Sequence, residues 1–199
     1  MNLEFRRRKP AREQGRSLLM EYEYDYNEFP LAYLITLRTY GTWLHGEEKL
    51  SVDRHHGLNI YGTPKRIANP KLKKVMFEEL KHKPFTLAEN QRKVVKAAIE
   101  EVCEHRGYKL QAINARSNHV HSVVSAQIKP KLIIEAFKSY ATRKLRENSL
   151  VEIETKVWAR GRSRRYLWKP RFVALAIEYV LYGQGDIIPD IEDCPEFDD

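Results

Sequence analysis

The sequence predicts an α+β domain of the ferredoxin-like type: βαββαβ order, one antiparallel sheet with helices on one face, and a further helix at the C-terminal end. Three observations carry this. Short runs rich in β-formers at 32–38, 108–115, 119–125 and 164–168 alternate with helical periodicity opening near Thr86 and Pro130. The middle two runs are joined only by Arg116-Ser117-Asn118, so they form a hairpin. A last apolar helical pattern, 170–182, follows the fourth run. Together they spell the split βαβ arrangement, which leaves the sheet face opposite the helices open to host a site.

Each element has its own signal. Ala32-Tyr-Leu-Ile-Thr-Leu-Arg38 is a strand by composition. The stretch after it, TYGTWLHGEEKLSVDRHHGLNIYGTPKR, holds four glycines, a proline and three histidines and reads as a long loop. Residues 70–82 suit a short basic helix. Thr86 with Glu89 three positions on has the form of a capping box. Leu87, Val94, Val95, Ala98, Ile99, Val102 and Cys103 then recur at helical spacing until Gly107 stops the run. Pro130 suits a first helical turn, and Leu132, Ile133, Ala136, Phe137, Tyr140 and Leu145 mark the apolar face that follows. On the last helix Phe172, Leu175, Tyr179 and Tyr182 form a stripe that fits a packed face as well as a reactive one.

Composition bounds the function. The 199 residues divide into a polar, basic arm (1–28), a main domain (29–185) and an acidic tail (186–199). The tail holds seven acids and no Lys or Arg, so the other 185 residues set 35 cations against 20 anions, a surplus of +15. Such a body favours a polyanionic partner. No apolar run approaches the roughly 18 residues of a membrane span, and the basic start lacks a signal peptide's apolar stretch, so residence in the cytoplasm, in contact with the nucleoid, is expected. Cys103 and Cys194 form no CxxC pair, which argues against a disulfide framework or a cysteine zinc site; Cys103 reads as a buried core residue.

The residues with chemistry are few. His119 and His121 stand two apart on a strand and therefore share a face, where neighbouring imidazoles are able to share one metal ion or simply line a polar surface. Arg160, Arg162, Arg164, Arg165, Lys169 and Arg171 interleave with Tyr166 and Trp168, a pattern that suits a single nucleic-acid strand, with charges on phosphates and rings on bases, or equally a solvated loop over a core tryptophan. His45, Asp53, His55 and His56 in the long loop read as loop polar residues. A sheet that binds single-stranded DNA or RNA without cutting it is the rival reading. It is disfavoured because such sheets display aromatics on their central strands and the His119–Ser125 strand has none.

The segment Asn118-His-Val-His121, on the central hairpin of such a sheet, resembles the signature of HUH endonucleases with a single catalytic tyrosine, in particular the REP-associated tyrosine transposases and related insertion-sequence transposases. Tyr33–Gly46 (YLITLRTYGTWLHG) is similar to the first strand and loop of one branch, and the likeness spans about residues 30–185. It implies an endonuclease and strand transferase that cuts and rejoins single-stranded DNA at a hairpin or repeat. Tyr179 would be the nucleophile, with Tyr182 as the alternative, and His119 and His121 would be metal ligands. Gln184 is the implied third ligand, although it lies five residues after the tyrosine where relatives often use four; Glu178 is its substitute. The resemblance further implies Mg²⁺ or Mn²⁺ as cofactor, a monomer or homodimer, and either an active mobile-element enzyme or a domesticated relative. A phenol with a pKa near 10 is a weak nucleophile, so a polarised, aligned phosphate is what such a site must provide. No Walker-type loop is present, which suits a reaction that keeps bond energy in a phosphotyrosine link.

Overall fold

The structure is a computed structural model that describes residues 28–44, 69–161 and 163–183. The basic arm up to residue 27, the loop residues His45, Asp53, His55 and His56, Arg162, Gln184 and the acidic tail lie outside the described residues.

The elements run β1 (Ala32–Arg38), α1 (Pro70–Glu78), α2 (Glu89–Arg106), β2 (Lys109–Ala115), β3 (His119–Ser125), α3 (Pro130–Glu147), β4 (Ser163–Leu167) and α4 (Pro170–Leu181). The sheet order is β2-β3-β1-β4, and every neighbouring pair is antiparallel. This is the ferredoxin-like order, with the two longest helices, α2 and α3, side by side on one face.

Alternation along β1 and β3 divides the core. Tyr33, Ile35, Leu37, Val120 and Val124 face α2 and α3, meeting Val95, Ile99 and Val102 of the first helix and Ile133, Phe137 and Leu145 of the second, all buried. Leu132 of α3 is 46% exposed, and Ile134 takes the buried place the sequence pattern gave it. Cys103 is buried in this core, and burial pushes its thiol up to about 12.

Two expectations need correcting. Helix α2 does not start at Thr86. Leu87 is buried and its N–H donates to the Ser117 carbonyl, so residues 86–88 stay extended. The helix opens at Glu89 with Ala88 as N-cap, and the Ala88 N–H donates to Gln91 Oε1 at 2.8 Å, so the reciprocal half of a capping box is made two residues later. Nor is the second sheet face open. Helix α4 lies across it: Phe172, Ala176, Tyr179 and Val180 pack on Ala32, Leu34, Ala112, Val123 and Leu167. The end of this face carrying Thr36, Arg38, His119 and His121 adds no residue to that apolar cluster and meets it at Tyr179.

Among the described residues no helix is long and apolar enough to cross a membrane.

Candidate active site

The site is built at one end of the two central strands. In the antiparallel register Thr36 lies opposite His121 and Arg38 opposite His119, so four polar side chains occupy one patch of one face. The two imidazole centroids are 4.6 Å apart. Each ring is oriented through Nδ1. His119 Nδ1 donates to Asn118 Oδ1 at 2.7 Å, which leaves the lone pair on Nε2. His121 Nδ1 meets Thr36 Oγ1 at 2.8 Å in a buried contact. His119 would therefore meet a cation through Nε2, and His121 would do so in the tautomer whose Nδ1 donates to Thr36 Oγ1, the arrangement in which a neighbour fixes the orientation of a ligating histidine.

His121 is 5% exposed. Burial first, then His119, then the charges of Arg38 and Arg116 push its imidazole down to about 3, so it is neutral near pH 7, the state in which histidine binds metals.

The phenol arrives from the other side. Tyr179 is 9% exposed on α4, and its ring centroid lies 5.4 Å from that of His121. Two devices fix this end of the helix. Asn114 Nδ2 donates to the Val180 carbonyl at 3.1 Å, tying α4 to β2. The Gly183 N–H donates to the Tyr179 carbonyl at 3.0 Å. A Cβ at Gly183 would stand 3.2 Å from both Cα and Cδ2 of Tyr179, so glycine is what allows the chain to turn this closely past the ring.

The apolar stripe expected on α4 is broken accordingly. Phe172 and Tyr179 are buried, whereas Tyr182 is 81% exposed and Glu178 is exposed. Of the two candidate tyrosines, Tyr179 is the one beside the histidines.

Two oriented, close, neutral-capable imidazoles fit a divalent cation as part of a ligand set. Imidazole is a better donor to Mn²⁺ than to the harder Mg²⁺. Among the described residues no further His, Cys, Asp or Glu completes a group of three, and Gln184 is outside them.

The basic and aromatic residues of 160–171 do not form one surface. Arg165 lies opposite Leu34, on the site face, and its Nη1 is buried without a hydrogen-bond partner among the described residues. Arg164 and Tyr166 point to the α2–α3 side, with Arg164 Nε donating to Tyr166 Oη at 3.3 Å. Tyr166 meets Tyr33 edge-on at 5.4 Å and lies nearly parallel to Trp168, 10° between planes and 6.5 Å between centroids. Lys169 and Arg171 both lie over Phe172, and Arg160 is exposed beside α3. The buried tryptophan is Trp158, whose Nε1 donates to the Lys138 carbonyl and to Thr142 Oγ1, both at 3.1 Å.

Sequence reasoning gave no site role to Thr36, Arg38, Trp43 and Asn114, and read Gly183 only as the stop of the last helix. The first three matter through the β1–β3 register and the turn after β1, which no pattern within a single segment reveals.

Comparison with known proteins supplies the family. The description "Transposase IS200 like" matches residues 71–182, more than half of the chain. A solved structure of a REP-associated tyrosine transposase bound to a REP hairpin is similar at 9% identity, covering 89% of this chain and 76% of the other, with a TM-score of 0.44. No curated protein matches. Together with the antiparallel α+β sheet and its order, the match over residues 71–182 establishes that the chain belongs to the IS200-like transposase family.

Proposed function

We propose that this transposase nicks and rejoins single-stranded DNA carrying a hairpin or repeat, with Tyr179 as nucleophile and His119 and His121 as ligands of a divalent cation. The observation that carries the reading is the approach of the Tyr179 ring to the imidazole pair, 5.4 Å from His121, which is itself 4.6 Å from His119.

The residues divide the work. Asn118 and Thr36 hold the two rings through Nδ1, so that Nε2 of each would be the atom offered to a shared cation. A cation held there, Mn²⁺ or Mg²⁺, would act as Lewis acid on the phosphate. Gln184, close behind the tyrosine in sequence, is proposed to add an oxygen ligand. The packed end of α4 restrains the Tyr179 ring, so attack starts from a defined position rather than a rotamer search. The Tyr179 oxygen forms a bond to phosphorus and the P–O3′ bond breaks. The phenol proton is released and the departing 3′-oxygen takes one up. The products are a 5′-phosphotyrosine link and a 3′-hydroxyl, and attack by a 3′-hydroxyl on the link reverses the step without ATP. Of the cations of 160–171, Arg165 shares the face of the imidazoles and is proposed to track the backbone there with Lys169 and Arg171, whereas Arg164 and Tyr166 point to the other side of the sheet.

The test is metal-dependent nicking of a labelled hairpin-bearing single strand. His119→Ala and His121→Ala are expected to abolish Mn²⁺-dependent nicking while keeping much of the DNA affinity. Nicking that persists in EDTA, or in either variant, excludes the metal role.

A further inference from the structure

Arg38 is the least explained charge near the site. It ends β1, opposite His119 in register and on the same face as both imidazoles. Arg38 is half-buried there. Its one ring partner is Trp43, over which it lies at 4.1 Å, and among the described residues neither a carboxylate nor a hydrogen-bond acceptor is recorded against its side chain. Stacking on a ring occupies the face of a guanidinium and leaves the N–H donors at its edge unspent. A half-buried cation without a counter-ion is costly, so its neighbourhood favours an anion.

The ring beneath it is held by the same turn that holds the histidines. The Thr39 N–H and Thr39 Oγ1 both donate to the Asn118 carbonyl at 3.0 Å, and Thr42 Oγ1 donates to the Thr39 carbonyl at 3.0 Å. Between them Gly41 adopts φ +69°, and a Cβ there would stand 3.0 Å from the Pro84 Cα, so this turn needs glycine. Asn118 thus anchors the Trp43 turn through its carbonyl and His119 through its side chain. The TYGTW motif builds a shelf for one guanidinium and fixes that shelf relative to the imidazoles.

We infer that Arg38 clamps the non-bridging oxygens of the phosphodiester that Tyr179 attacks, with Trp43 holding the guanidinium edge-on to the phosphate. This rests on the nicking reading above and assigns the phosphate-binding half of that site. A planar fork suits two phosphate oxygens, and the contact strengthens as charge builds on them during attack. The same fork would hold the phosphate whichever strand end arrives for rejoining.

The experiment uses the full chain as wild type, Arg38→Ala, Arg38→Lys and Trp43→Phe. Binding of a fluorescent single-stranded hairpin oligonucleotide is followed by anisotropy in EDTA across a salt series, and the rate of protein–DNA adduct formation is measured with Mn²⁺ at saturating DNA. Arg38→Ala is expected to weaken binding about tenfold and to flatten the log–log salt slope by about 0.7. Its adduct rate is expected to fall by about 10²–10³. Arg38→Lys is expected to restore the salt slope but only part of the rate, because an ammonium lacks the fork. Trp43→Phe keeps a ring but gives the guanidinium a smaller shelf, and is expected to lower the adduct rate about threefold, less than Arg38→Ala. Melting separates a purely structural role: Arg38→Ala should melt no lower than wild type, and a markedly lower melting temperature with an unchanged salt slope would overturn the proposal. So would an unchanged slope together with an unchanged rate. If the wild type forms no adduct, the nicking reading fails while the salt slope in EDTA still decides whether Arg38 holds a phosphate.

Discussion

The two faces of the sheet are made from the same strands and differ in what they can tolerate. On the helix-layer face every position along β1, Tyr33, Ile35 and Leu37, is apolar and buried. On the other face the strand changes character along its length: Ala32 and Leu34 lie under α4, then Thr36 and Arg38 lie beside His121 and His119. One face supplies stability. The other gives up apolar contact at one end to hold imidazoles, a guanidinium and a phenol in fixed relation. A single strand does both because successive residues point to opposite faces. Damage to one face should therefore spare the property that depends on the other.

Phe137→Ala tests that separation most strongly. The ring is fully buried between α3 and the sheet, so its loss should cost about 3–5 kcal/mol of stability. At a temperature where the variant is still folded, its adduct rate should stay near wild type; denaturant unfolding and the adduct assay measure the two arms. A large loss of rate in the folded variant would mean that the faces are coupled.

Gly183→Ala probes the opposite face. The new Cβ crowds the backbone and ring of Tyr179 at 3.2 Å, so the ring must shift by a few tenths of an ångström. The adduct rate should fall about tenfold, with under about 1.5 kcal/mol lost in a denaturant titration. An unchanged rate would show that the position of Tyr179 is not fixed by this contact.

Acid sharpens the contrast further. His121 is held neutral by burial, at about 3 in the folded chain against 6.5 when exposed. Its folded pKa is depressed, so below pH 6.5 the unfolded chain takes up a proton that the folded chain refuses. Stability should fall by up to about 1.4 kcal/mol per pH unit between 6.5 and about 3 on this account alone. In a titration of unfolding free energy, His121→Asn should lose this slope while the helix-layer face contributes nothing to it. Equal slopes in the two proteins would contradict the burial of His121.

Much of this contrast was legible in the sequence, for reasons that differ by residue. The boundaries of β1 and β3 follow from dense β-branched and apolar composition, and the one-face placement of His119 and His121 follows from the two-residue period. The start of α2 was misread because Thr86-Glu89 has the form of a cap, but the backbone there is committed to Ser117, a residue thirty positions away. Tyr179 and Tyr182 could not be separated by periodicity, since a helical stripe places both near one face. The end of α4 separates them, burying one and exposing the other. Arg38 and Trp43 entered only as part of the Tyr33–Gly46 stretch, with no role assigned to either. Their meaning depends on strand register and on the Asn118 turn, both tertiary facts.

The most direct test of the convergence of imidazoles and phenol is the site of covalent attachment. The purified chain, with Tyr179→Phe and Tyr182→Phe beside it, is incubated with a labelled single-stranded hairpin and Mn²⁺, resolved on a denaturing gel, and the linked peptide identified by mass spectrometry. The label should travel with the peptide bearing Tyr179, vanish in Tyr179→Phe and persist in Tyr182→Phe. A label that survives Tyr179→Phe, or maps to Tyr182, would contradict the account.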